Sequence, residues 1–488
     1  MMDPNQTPTH LSLFSTPRVR RALALAALVG APLAACGPDA EGPGLEENAA
    51  EVSGTRADRS LAVTDPTILA RFSFARTMNA LRASATSTGK RLATTETNTA
   101  VFQRWMRSFD DGADGCTRSS VDPQDYGVMC PRNAEAKLAT VNPFAAPPTV
   151  AFVPVGLFNR FDLMPSTGAT CGEYRIVYAM QPGPGAPLFG RGFLIFEAVL
   201  PNPTPALGVD ACLPVAEFWQ SLTNDASAAS RAAKLERFFY TGGAVPGFAP
   251  VVRAAHYGLF NEGVASLRGR LGQIRTNMFV DFAEWHLREY KLRTTCPTAT
   301  TCTLAFEHRP VKANPAEQLF AGTHAQSANF RTAFTAQIRR LIAPDVNRIA
   351  MTTSDTFNTF ESSAETGDVI YRNFDNAAMR TAIQTELTRL NSRLTVDNVL
   401  DRASTQTCGG CHQLSNGQAL GGGLRWPASG FFVHIDEGGN LSPALAGTFL
   451  PARLRTLEAF INARETVNGE LSFVEGESIT GRPDDAAN

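Results

Sequence analysis

From about residue 148 to 312 the chain alternates its side chains with a period of two, and this limits the fold more than any other feature. In Glu173–Met180, Tyr174, Ile176, Tyr178 and Met180 share one face, while Glu173 and Arg175 share the other. Arg191–Leu200, Gln273–Val280, Trp285–Arg293 and Thr303–Val311 are further strand candidates, rich in β-branched and aromatic residues. Helical stretches interrupt them around 213–240. Strands with inserted helices and no regular βαβ rhythm predict an α+β domain on a mainly antiparallel sheet. An apolar fraction of 43%, with 31 phenylalanines in 488 residues, excludes global disorder and permits a large core. A net charge of −2 argues against a nucleic-acid binder, which normally shows a basic face.

Past residue 315 the period turns helical. Phe330, Phe334, Ile338 and Leu341 form one stripe, and Met379, Ile383, Leu387, Leu390 and Leu394 another; such stripes are core and carry no chemistry. A last helix contains Leu450, Leu454, Leu457 and Ile461, entered at Pro451. Near the other end, order is expected from Asp65-Pro66, an N-cap with proline at the first helical position, followed by Phe74, Met78 and Leu81 at helical spacing.

Arg18, Arg20 and Arg21 precede a small apolar run that ends in Leu33-Ala34-Ala35-Cys36, the pattern of a bacterial export signal. Because the cleavage position falls before a cysteine, the segment resembles a lipoprotein signal. That resemblance implies removal of residues 1–35 and diacylglycerol on Cys36; the plainer alternative is an ordinary signal peptide with a chance cysteine. Gly37 stands where an inner-membrane retention aspartate would be, so an outer-membrane anchor is expected. The boundaries that follow are a signal at 1–35, a lipidated flexible tether at 36–60, the α+β domain at 61–312, a helical connection at 313–394, a haem domain at 395–474 and a disordered tail at 475–488.

Cys408-Gly409-Gly410-Cys411-His412 is a C-x-x-C-H sequence, the attachment signature of c-type haem. Two thiols must reach the two vinyl groups on one porphyrin edge while the next residue points an imidazole at the iron. Residue frequencies predict on the order of 0.002 such matches by chance in this chain. A thioredoxin-like pair would follow a strand, and a zinc site would need further soft ligands, whereas no cysteine follows Cys411. The segment 395–465, with a short helix from Thr395 leading into the motif, resembles a small mainly α-helical c-type cytochrome domain. The resemblance implies one covalent haem c, held by Cys408 and Cys411, with His412 as proximal ligand. Many such domains supply a downstream methionine, but none follows Met379 here. His434, in an apolar strand-like stretch, Gly430–Asp436, is the candidate second ligand; Met379, Met351, His324 or an open position are the alternatives.

Setting aside Cys36, Cys408 and Cys411 leaves Cys116, Cys130, Cys171, Cys212, Cys296 and Cys302, an even set that in an exported chain reads as disulfides. Sequential pairing is the simplest arrangement. Arg160 with Asp162, and Glu173 with Arg175, converge into one polar cluster if their strands pair as a hairpin. A structural ion-pair network is the simpler reading of that cluster; Glu173, with Asp162, Arg160 and Arg175, is the candidate set if the domain is catalytic. The block 150–310 resembles uncharacterised secreted bacterial proteins and brings no chemistry with it. Asp110–Gly115 is a poor calcium loop, with Val121 in place of the required glutamate, and no G-x-S-x-G, Walker A or H-E-x-x-H is present. The expected protein is an exported monohaem cytochrome lipoprotein that transfers electrons to an unidentified redox partner. The rivals are a haem-dependent oxidoreductase with its substrate site in the α+β domain, and a surface binding lipoprotein with a secondary haem.

Overall fold

The computed structural model describes residues 55–110, 126, 128–258, 272–281, 284–311, 315–322, 324–363, 369–374, 376–430 and 433–465. The segment expected to be an export signal, Cys36, Cys116, residues 111–115 of the acidic loop and the segment 475–488 lie outside them.

The alternating block forms the sheet it predicts. Its strands are β1 (Ala62–Val63), β2 (Arg91–Leu92), β3 (Val150–Arg160), β4 (Thr170–Pro182), β5 (Gly190–Pro201), β6 (Gln273–Val280), β7 (His286–Thr295), β8 (Thr301–Arg309) and β9 (Ser362–Ser363). The nine strands run in the order β1-β3-β4-β5-β6-β7-β8-β2, with β9 also paired to β7. Every pairing is antiparallel except that of β2 with β8. The fold is therefore α+β on a large, mostly antiparallel sheet.

The two faces of the sheet differ as the alternation requires. One takes the helices α1 (Phe74–Ala83), α2 (Asn98–Arg107), α3 (Leu213–Ser221) and α4 (Ala228–Glu236). Phe74 packs on Phe152 and Tyr178, Trp105 stacks on Phe306 at 4.1 Å, and Trp219 stacks on Tyr174 at 5.7 Å. The opposite face carries charge. Arg160 stands across from Glu173, Arg175 across from Glu197, and Arg275 across from Glu289.

A second apolar core gathers α5 (Ser327–Leu341), α6 (Ala377–Arg389) and α7 (Val396–Ser404), through Phe330, Phe334, Ile383, Leu387 and Leu400. The last helix, α8 (Leu450–Glu465), instead joins the sheet core, where Phe460 meets Phe161 at 4.8 Å. The described residues from 395 to 465 thus divide their apolar side chains between two cores: Val396 to Trp426 fall in one and Val433 to Ile461 in the other, with Phe449 packed against both. Among the described residues no helix is long and apolar enough to cross a membrane.

Three local expectations change. Structure is present before Asp65, since Ala57–Ser60 form a helical turn tied down by Arg59 donating to the Thr223 carbonyl at 2.8 Å. α6 stops at Arg389 because Asn391 takes a left-handed conformation (φ 50°), so Leu390 and Leu394 pack on the core from beyond the helix. The stretch around His434 is not a strand: it makes only single bridges, Gly430 with Val433 and Ile435 with Leu441, because Asp436 folds the chain into a tight turn by accepting from the Gly438 and Asn440 amides.

Candidate functional site

The C-x-x-C-H motif is delivered by α7. Thr395 and Asn398 cap that helix reciprocally, and buried Arg402 fastens it by donating to the carbonyls of Leu341, Ala343, Leu420 and Gly421. The chain turns after Ser404 and re-enters a short helical turn at Gly410–Leu414. Thr407 holds the bend, its hydroxyl donating to the Ser404 carbonyl at 2.8 Å and accepting from the Gly410 amide at 3.0 Å. Gly410 permits the close approach: a Cβ there would stand 1.8 Å from the Ser404 oxygen. On the far side, Trp426 Nε1 donates to the Cys411 carbonyl at 3.1 Å.

Cys408, Cys411 and His412 are half-buried, and neither cysteine is in a disulfide. Cys408, Gly409 and His412 line a small cavity, completed by Asn277 of β6, Trp285 and Leu287 at the start of β7, and Ser362 of β9. The motif therefore lies over the charged face of the sheet. The His412 ring packs against His434, with centroids 4.5 Å apart. His434 is held by Ser442, whose hydroxyl lies 3.3 Å from Nδ1 and whose amide donates to the His434 carbonyl at 2.8 Å. Its segment is fastened to β5 by Arg191 donating to Glu437 at 2.6 and 2.9 Å. Burial, then the neighbouring His412, Arg453, Arg175 and Arg160, hold the His434 imidazole well below its ordinary range and keep it neutral. Of the other candidate ligands, Met351 and Met379 are buried in the second core and His324 packs on Tyr126 at 4.6 Å.

The four charged candidates come together. Arg160 donates to Asp162 from Nε at 2.9 Å and Nη2 at 2.8 Å, and Arg175 donates from Nε to Glu173 at 2.5 Å. The network extends further than the sequence indicates. Arg175 Nη1 lies 2.9 Å from Glu197, Arg275 Nη1 3.2 Å from Glu197, and Arg275 Nε donates to Glu289 at 3.1 Å. Glu197 is 1% exposed at its side chain; burial opposes its charge, but Arg175 and Arg275 outweigh that and lower its carboxyl. Glu289 goes the other way, since burial outweighs the neighbouring Arg275 and raises it. The outward position of Glu197 is legible in the alternation of Arg191–Leu200, but its partners are 22 and 78 residues away and have no signal in sequence.

Cys171–Cys212 and Cys296–Cys302 are disulfides, as sequential pairing expects. Cys130 is also disulfide-bonded. Among the described residues no group of three or more His, Cys, Asp or Glu converges on a point that would hold a bare metal ion. The donor chemistry is that of a covalent tetrapyrrole site, with two thiols and an imidazole on one turn and a second imidazole beside the first; the two rings, 4.5 Å apart, would have to separate to admit a macrocycle between them. Cys408 and Cys411 would hold it, and His412 and His434 would supply nitrogen donors to its iron. No family model, curated protein or solved structure matches the chain.

Proposed function

We propose that this protein is an exported, lipid-anchored c-type cytochrome that binds one haem and transfers electrons. The observation that carries the reading is the meeting of His434 with His412 across the boundary between the two cores, beside the paired thiols of the motif. Haem supplies an iron that changes oxidation state by one electron. This chain's residues do the rest. Cys408 and Cys411 would hold the macrocycle through two thioethers, and His412, carried on a turn locked by Thr407 and Gly410, would supply a nitrogen donor to the iron. His434 is kept neutral, the protonation state in which an imidazole nitrogen binds metal. Two imidazole donors would favour the ferric state and lower the potential relative to an imidazole–methionine pair. The export signal agrees with attachment outside the cytoplasm, and Cys36 would anchor the chain at the outer membrane.

The test is a pyridine haemochrome spectrum of protein exported in a host that attaches haem c. A c-type α band, lost in Cys408→Ala/Cys411→Ala, is expected. Its absence with the haem supply verified refutes the reading.

A further inference from the structure

The charged face lies directly across from the motif, and its arginines are incompletely engaged. Arg160 commits Nε and Nη2 to Asp162, and Arg175 commits Nε to Glu173 and Nη1 to Glu197. Arg160 Nη1 and Arg175 Nη2 make no hydrogen bond among the described residues, yet neither is among the buried polar atoms left unbonded, so each keeps a narrow opening to solvent. A guanidinium presents its donors in a planar fork suited to a carboxylate, and one already braced by acidic neighbours is pre-positioned for another.

The positions also match along the sheet. Cys408 shares its cavity with Asn277 of β6 and Leu287 of β7, and is within electrostatic reach of Arg275 of β6. Arg175 is on β4 and Arg160 ends β3, two and three strands away, or about 10 and 14 Å. His434 lies between, in contact with His412 and within electrostatic reach of both arginines. A porphyrin tethered by its vinyl edge to the cysteines carries two carboxylates on the opposite edge, and its breadth is comparable to that strand spacing. Carboxylates at a partly buried position need charged partners, because desolvating them alone is costly.

We propose that Arg160 and Arg175, from β3 and β4 of the sheet, hold the carboxylates of the haem attached at Cys408 and Cys411, making the α+β domain one wall of the haem site. This rests on the haem reading above and assigns the sheet a role in it. The charged chain from Asp162 to Glu289 then braces the two arginines rather than serving a substrate.

The test uses full-length, haem-loaded protein and reads the propionate bending band in the resonance Raman spectrum, which responds to hydrogen bonding at the haem carboxylates. Arg160→Gln and Arg175→Gln are expected to shift that band while the haemochrome α band persists, with Arg160→Lys and Arg175→Lys, which keep the charge but lose the planar fork, giving a smaller shift in the same direction. Arg293→Gln, an exposed pair with Glu307, is the control and leaves the band in place. A purely structural brace would leave it unmoved in every variant that retains haem. An unshifted band in both glutamine variants, or in Arg175→Lys and Arg160→Lys should the glutamine forms fail to fold, overturns the assignment while leaving the haem reading standing. A wild-type protein with no haem band overturns both.

Discussion

Replacing Glu361 with glutamine tests how the sheet side of the cavity is held. Glu361 is 6% exposed; it accepts from Arg288 Nε at 2.7 Å, and its other oxygen lies 2.9 Å from His286 Nδ1. Arg288 is fully buried, and Ser362, the next residue, pairs with Leu287 and lines the cavity beside Cys408. Burial opposes the Glu361 charge, but Arg288 and His286 outweigh it and bring the carboxyl from 4.5 to about 2. A depression of that size is worth about 3 kcal/mol of stability once the group is ionised in both states. An independent route agrees: removing one partner of a buried ion pair costs about 3–5 kcal/mol, and glutamine, which keeps the shape, belongs at the lower end. Because the folded value is depressed, the contribution is complete above pH 4.5 and fades as pH falls towards 2. Denaturant unfolding of the disulfide-intact protein should therefore show a gap of about 3 kcal/mol between wild type and Glu361→Gln at pH 7. The gap should stay constant to about pH 5.5 and shrink by about 2 kcal/mol at pH 3. A gap below about 1 kcal/mol at pH 7, or one that widens on acidification, refutes the reasoning.

Gly410→Ala should sharply reduce the yield of attached haem, measured as haemochrome per protein, because its Cβ would meet the Ser404 carbonyl and distort the turn between the cysteines. Converting Cys171 and Cys212 to alanine should cost about 4 kcal/mol in denaturant unfolding, against about 2.5 kcal/mol for Cys296 and Cys302, since the sequence separations are 41 and 6. Equal losses would argue against loop entropy as the cause. In haem-loaded protein, His434→Ala should change the ferric spectrum from low spin to high spin, and a spectrum that stays low spin counts against His434 as the ligand. Arg402→Met should lower stability by at least about 3 kcal/mol, because it leaves four backbone carbonyls without their charged donor.

Much of the sheet was legible because a half-buried strand must alternate. Gln273–Val280 matches its strand end to end, and the separation of Tyr174, Ile176 and Tyr178 from Glu173 and Arg175 holds in three dimensions. Leu390, Leu394 and the stretch around His434 depart from the expected elements for one reason. Apolar spacing marks what is buried, whereas the end of an element depends on backbone turns, here at Asn391 and Asp436, that the spacing does not register.

By itself the sequence determined the chemistry available: the spacing of Cys408, Cys411 and His412, and the outward charges of the strands. These are local properties, set by covalent reach and by the periods of helix and strand. Only the tertiary structure decided what those groups face. It brought His434 from one core to His412 at the edge of the other, set the motif over the charged face, and joined Arg175 and Arg275 through Glu197. Such contacts arise from the packing of distant segments, and no local pattern in the chain encodes them.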